Sequence, residues 1–105
     1  MFSKGSWKVD RWHPVKVVAS EIVDYRNNNQ AIRLTLLNES FDSKRFLIFT
    51  NNTLLMNSLL ELTYGNSDVQ SADEKDFVNM EFLVWVEEHN GYLNIKDIGI
   101  LKQEE

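Results

Sequence analysis

The sequence predicts a mainly β domain: five strands with one helix inserted between the third and the fourth. Three observations carry that expectation. Apolar residues alternate with period two in 30–38, 79–88 and 92–101. The stretch "NNTLLMNSLLELTYG" at 51–65 instead spaces Leu55, Leu59 and Leu62 as a helix does. Asn27-Asn28-Asn29 and Asn90-Gly91 fall between strand candidates and supply the positive-φ residues that tight hairpins need.

Taken in order, residues 1–14 (MFSKGSWKVDRWHP) read as an irregular N-terminal arm, with Phe2, Trp7 and Trp12 interleaved among Lys4, Lys8 and Arg11. Pro14 sets an extended entry into the first strand, 15–25, which is rich in Val and Ile. Its alternation slips near Ala19-Ser20, as a bulge in a long, bent strand would make it do. In the second strand, 30–38, Ile32, Leu34 and Leu36 share one face, and Arg33 and Thr35 share the other. The polar loop ESFDSK leads to an apolar third strand, 45–50. The helix follows, with Asn51, Asn52 and Thr53 as N-cap candidates and Gly65 at the left-handed C-cap position. Residues 65–76 are a polar, acidic loop with room for one helical turn. The fourth strand sets Met80, Phe82, Val84 and Val86 against Glu81, Leu83, Trp85 and Glu87; in the fifth, Leu93 and Ile95 face inward. Residues 102–105 are a short charged tail beyond a domain spanning 15–101.

The order β1-β2-β3-α-β4-β5 is that of the OB-fold, a Greek-key, partly open five-stranded barrel in which the helix plugs one end. A sheet covered on one face by the helix is the structural alternative.

Length and composition suit a single folded domain. The 105 residues are 43% hydrophobic and 26% charged, with four Gly and one Pro, enough to bury roughly 65% of the unfolded chain's surface. The absence of Cys excludes disulfides and thiolate metal sites. No apolar run approaches the roughly 20 residues of a membrane span, and the N-terminal stretch has no apolar core of a secretion signal. A cytoplasmic protein without membrane contact is therefore expected. The net charge of −5 argues against gripping nucleic acid by bulk charge, but its distribution is uneven. Residues 1–65 hold eight Lys/Arg against six carboxylates, whereas residues 66–105 hold three Lys against ten, so the halves carry +2 and −7.

The segments "AIRLTLLN", "NNTLLMNSLLELTYG" and "FVNMEFLVWVEEHNGYLNIKDI" resemble, over about residues 15–100, small OB-like proteins of phages and mobile elements in Gram-positive bacteria. The resemblance implies a replication or recombination accessory that binds single-stranded DNA. Two positions depart from it. Val78-Asn79 stands where the fourth strand of such proteins often begins with Gly, and the acidic tail lacks the terminal aromatic of bacterial single-strand-binding proteins, which counts against docking a partner through the tail.

OB-folds bind oligonucleotides or oligosaccharides across the second and third strands, framed by the β1–β2 and β4–β5 loops. That frame picks out Tyr25, Arg26 and Asn28 on one rim and Tyr92, near His89 and Asn90, on the other. Arg33 lies on the floor beside Thr35, and Lys44 and Arg45 lead into the third strand. Aromatic rings stack bases and Arg or Lys contact phosphates, so these residues form a single-stranded DNA or RNA site. The structural alternative is ordinary: tyrosines at strand ends pack a barrel rim, and arginines on a strand serve solubility. Trp85 either stacks a base, buries itself under a partner chain, or packs beneath the N-terminal segment against Trp7 or Trp12.

No catalytic, cofactor or metal site is expected. The neighbours Glu87, Glu88 and His89 alternate between faces of a strand and His13 is the only other His. There is no Gly-rich phosphate loop, and no carboxylate pair sits in an apolar setting. The alternative to nucleic-acid binding is an acidic protein-binding module, either an oligomerising accessory factor or an inhibitor presenting its acidic half to a basic partner in place of DNA.

Overall fold

The computed structural model describes residues 6–25, 29–66, 68 and 72–101. The strands are β1 (Arg11–Asp24), β2 (Gln30–Asn38), β3 (Ser43–Phe49), β4 (Glu81–His89) and β5 (Tyr92–Gly99). Helix α1 (Thr53–Tyr64) and a 3-10 turn (Glu74–Phe77) lie between β3 and β4. The strands form one antiparallel sheet in the order β3-β2-β1-β4-β5.

β1 is the middle strand and serves two neighbours in succession. Arg11–Lys16 pair with β4, and Val15–Asp24 pair with β2. Near the changeover the register jumps from Val17↔Leu36 to Ala19↔Thr35, leaving Val18 unpaired: the bulge falls where the alternation slips.

The N-terminal segment departs from the expectation of a separate arm. β1 begins at Arg11, four residues before the predicted start, and Trp7 is buried in the core against Phe46 (centroids 5.2 Å) and His13 (5.4 Å). Pro14 does not break the strand because it sits opposite Leu83 of β4, just before the ladder to β2 begins at Val15↔Asn38. Its missing N–H therefore removes no bond from a second ladder. His13, in the segment read from the sequence as an arm, is inside β1 and buried; its Nε2 lies 2.7 Å from the Lys8 carbonyl and its Nδ1 3.3 Å from Glu39 Oε1.

The sheet is open. β3 and β5 are its edges, and among the described residues no ladder joins them. The two edges approach each other without pairing, and a groove of about 410 Å³ lies between their side chains, with Leu55 of α1 and Ile95 of β5 in its lining. β5 also bulges at Lys96, where its pairing passes from Trp85↔Asp97 to Val86↔Ile95.

One apolar cluster joins the elements: Val17, Leu34, Leu36, Phe82, Val84 and Val86 of the sheet, Leu55, Leu59 and Leu60 of α1, and Phe77 of the 3-10 turn. The helix starts at Asn52, whose Oδ1 accepts from the Leu55 N–H (3.4 Å), and stops at Gly65 with φ 84°, whose N–H donates to the Glu61 carbonyl (2.9 Å). The β4–β5 hairpin turns on Asn90 (φ 53°) and Gly91 (φ 83°), as the dipeptide predicts.

The end of α1 is tied to the acidic segment through Tyr64. Its hydroxyl donates to Asp76 Oδ2 (2.8 Å) and accepts from the Asp73 N–H (3.3 Å). Desolvation, followed by the bond to the Asp76 carboxylate, raises its pKa above the ordinary value of 10.0. The folded state thus favours the neutral phenol, so this contribution is complete below pH 10 and is lost as pH rises through the raised pKa. Tyr64→Phe is expected to cost about 0.5 kcal/mol at neutral pH, at the low end because the site is solvent-accessible. It should also flatten the decline of Tm above pH 10. Parallel alkaline declines in the two proteins would refute the linkage.

Candidate nucleic-acid interface

The registers of β1, β2 and β3 lay out the outward face as three rows. Ala19, Thr35 and Arg45 form the first; Glu21, Arg33 and Leu47 the second; Val23, Ala31 and Phe49 the third. Successive rows are about 7 Å apart, the rise of two strand residues. The alternate residues Ile32, Leu34, Leu36, Phe46 and Ile48 are buried behind this face.

Polarity is graded along the rows. Arg45 is exposed and, among the described residues, has no carboxylate within ion-pair distance. Arg33 holds the Glu21 carboxylate, with Nε and Nη2 both on Oε1. At the other end the face becomes apolar and aromatic. Leu47 and Phe49 are 39% and 40% exposed, unusual for side chains this large, and Tyr25 lies against Phe49 with ring centroids 5.4 Å apart. The Tyr25 N–H donates to the Asn29 carbonyl (2.7 Å), which fixes the ring where the β1–β2 connection leaves the sheet. Phe49 and Leu47 also line the groove towards β5, whose lining includes His89, Glu87 and Asn94. The flanks of the β1–β2 and β4–β5 loops thus converge on Phe49.

Of the residues singled out from sequence, Tyr25, Arg33 and Arg45 are brought together on this face. Arg26 and Asn28 lie outside the described residues. Lys44 pairs with buried Leu36, one step out of phase with Arg45, and so sits on the opposite face of β3. Trp85 is on β4, beyond β1 from this face, with its ring edge-on to Trp12 (5.5 Å, 82°). Trp12 in turn lies across Gly99, whose Cβ, if present, would stand 3.4 Å from the indole. Contact with Trp12 is one of the roles foreseen for Trp85, which also lines a concavity with Leu54, Ser58 and Lys96. Tyr92 is 74% exposed at the start of β5, paired with His89.

Sequence reasoning missed Leu47, Phe49 and Glu21. A signal for the first two was present: in "RFLIFT" Arg45, Leu47 and Phe49 share a phase, so an outward Arg45 implies an outward Phe49.

No protein-family model matches the chain, and no curated protein matches it. Among the described residues no helix is long and apolar enough to cross a membrane.

Proposed function

We propose that this is a noncatalytic OB-like domain that binds single-stranded nucleic acid across the outward face of β2 and β3, in the cytoplasm. The sheet order with β1 shared between β2 and β4, and the helix between β3 and β4, support the OB-like reading. The observation that carries the ligand is the graded face: two guanidinium groups at one end and an exposed aromatic pair at the other. A single strand offers those two chemistries side by side, phosphates for Arg33 and Arg45 and unpaired bases for Phe49 and Tyr25. The resemblance to phage and mobile-element proteins suggests a replication or recombination setting.

Anisotropy of a labelled dT oligomer tests this reading. Two phosphate contacts predict that log K falls with log salt with a slope of about −1.4. Absence of binding at low salt would refute the reading, and co-purification with a basic protein would favour an acidic protein-binding module in its place. Within the face, Arg45→Ala is expected to weaken binding about fivefold and Lys44→Ala to change it less than twofold, because only Arg45 points outward. Equal losses would show that bulk charge, and not this face, binds the strand.

A further inference from the structure

A concavity of about 260 Å³ lies over the β1 bulge, lined by Ala19, Ser20, Glu21, Arg33, Thr35 and Arg45. It lies where the bulge sets the small side chain of Ala19 in one row with Thr35 and Arg45, beside the longer pair Glu21 and Arg33. Its polar lining is unevenly used. Arg33 is turned to the Glu21 carboxylate, whereas Arg45 has no ion pair among the described residues. Two guanidinium groups and the Thr35 hydroxyl around a hollow of this size make a receptor for a tetrahedral oxyanion.

We propose that this concavity is a phosphate subsite and that Glu21 closes it in the free protein, its carboxylate standing in for the phosphate oxygen that displaces it from Arg33. The proposal rests on the nucleic-acid reading only for the source of the phosphate, a phosphodiester of the bound strand. Glu21 and Arg33 are both partly exposed, with side chains 53% and 35% accessible, so the pair is a weak internal competitor that a phosphate can exchange. The affinity of the face is therefore set below what its arginines would reach unopposed.

The test titrates inorganic phosphate into wild type, Glu21→Gln and Glu88→Gln while following the Arg33 and Arg45 side-chain N–H signals and the Thr35 amide by NMR. Glu88→Gln makes the same charge change on exposed β4. Removing the competitor should let Glu21→Gln saturate at about three- to fivefold lower phosphate, with those three signals moving together and Glu88→Gln behaving as wild type. No gain in Glu21→Gln, an equal gain in Glu88→Gln, or shifts that bypass these residues would overturn the subsite, whether or not dT binds. A parallel dT titration identifies the source. A gain in both arms, with the salt slope still about −1.4 because the same two phosphates are contacted, assigns the subsite to a phosphodiester. A gain with inorganic phosphate alone keeps the subsite and removes nucleic acid as its ligand.

Discussion

Phe49→Ala is expected to weaken dT binding about thirtyfold, from the loss of roughly 2 kcal/mol of base stacking, while leaving Tm within a few degrees of wild type. The ring projects from the outward side of β3 with 40% of its surface in water, so its removal opens no cavity in the core. Its position between Tyr25 and the groove lined by His89 makes it the residue a strand entering from either loop must meet. Phe49→Trp should restore binding and report it through quenching on addition of dT. A variant that binds as wild type does would place the ligand elsewhere, and one that unfolds would make Phe49 a structural residue.

The largest effect on stability is expected from Leu59→Ala. Leu59 is fully buried on the inner side of α1, among the sheet residues that the helix covers. Truncating such a leucine costs about 3 kcal/mol in transfer and cavity terms together, which for a domain of this size lowers Tm by roughly 15 °C. Urea melts should show the loss without a change in slope, since the same surface is exposed on unfolding. The folded fraction should still bind dT with unchanged affinity, because no residue of the three-row face comes from the helix. A loss below 1 kcal/mol would mean that α1 is not an integral part of the core.

How far these features could be read from sequence depends on whether they are local. The β2 alternation assigns Ile32, Leu34 and Leu36 inward and Arg33 outward without knowledge of any neighbour, and the caps of α1 and the Asn90-Gly91 turn are likewise set within a few residues. Phase within β3 is harder. "RFLIFT" is apolar on both sides, so nothing within it says that Phe46 and Ile48 are buried while Leu47 and Phe49 face out; the ladder to β2 decides it. The same parity separates Lys44 from Arg45. The Glu21–Arg33 pair depends on the bulge, since a register continuous through Val18 would have placed Ser20 opposite Arg33. Pro14 misleads for a related reason: a proline usually ends a strand, but here β1 has only β4 beside it at that point. Edge-to-edge closure is the least local property of all. The prediction of a barrel ends, in the structure, as a five-stranded open sheet with one helix.

Val18 separates two properties of a strand that normally travel together. The residues on either side of it, Val17 and Ala19, pair with Leu36 and Thr35, which are consecutive on β2. Deleting Val18 would therefore leave every other β1 side chain facing as it does now and every β2 partner unchanged. What the residue contributes is an extra step of backbone length on one side of the ladder, and hence curvature. In this sense Val18 encodes shape and no ladder partner: 43% exposed and unpaired, it lets the first half of β1 turn towards β4 while the second half stays with β2.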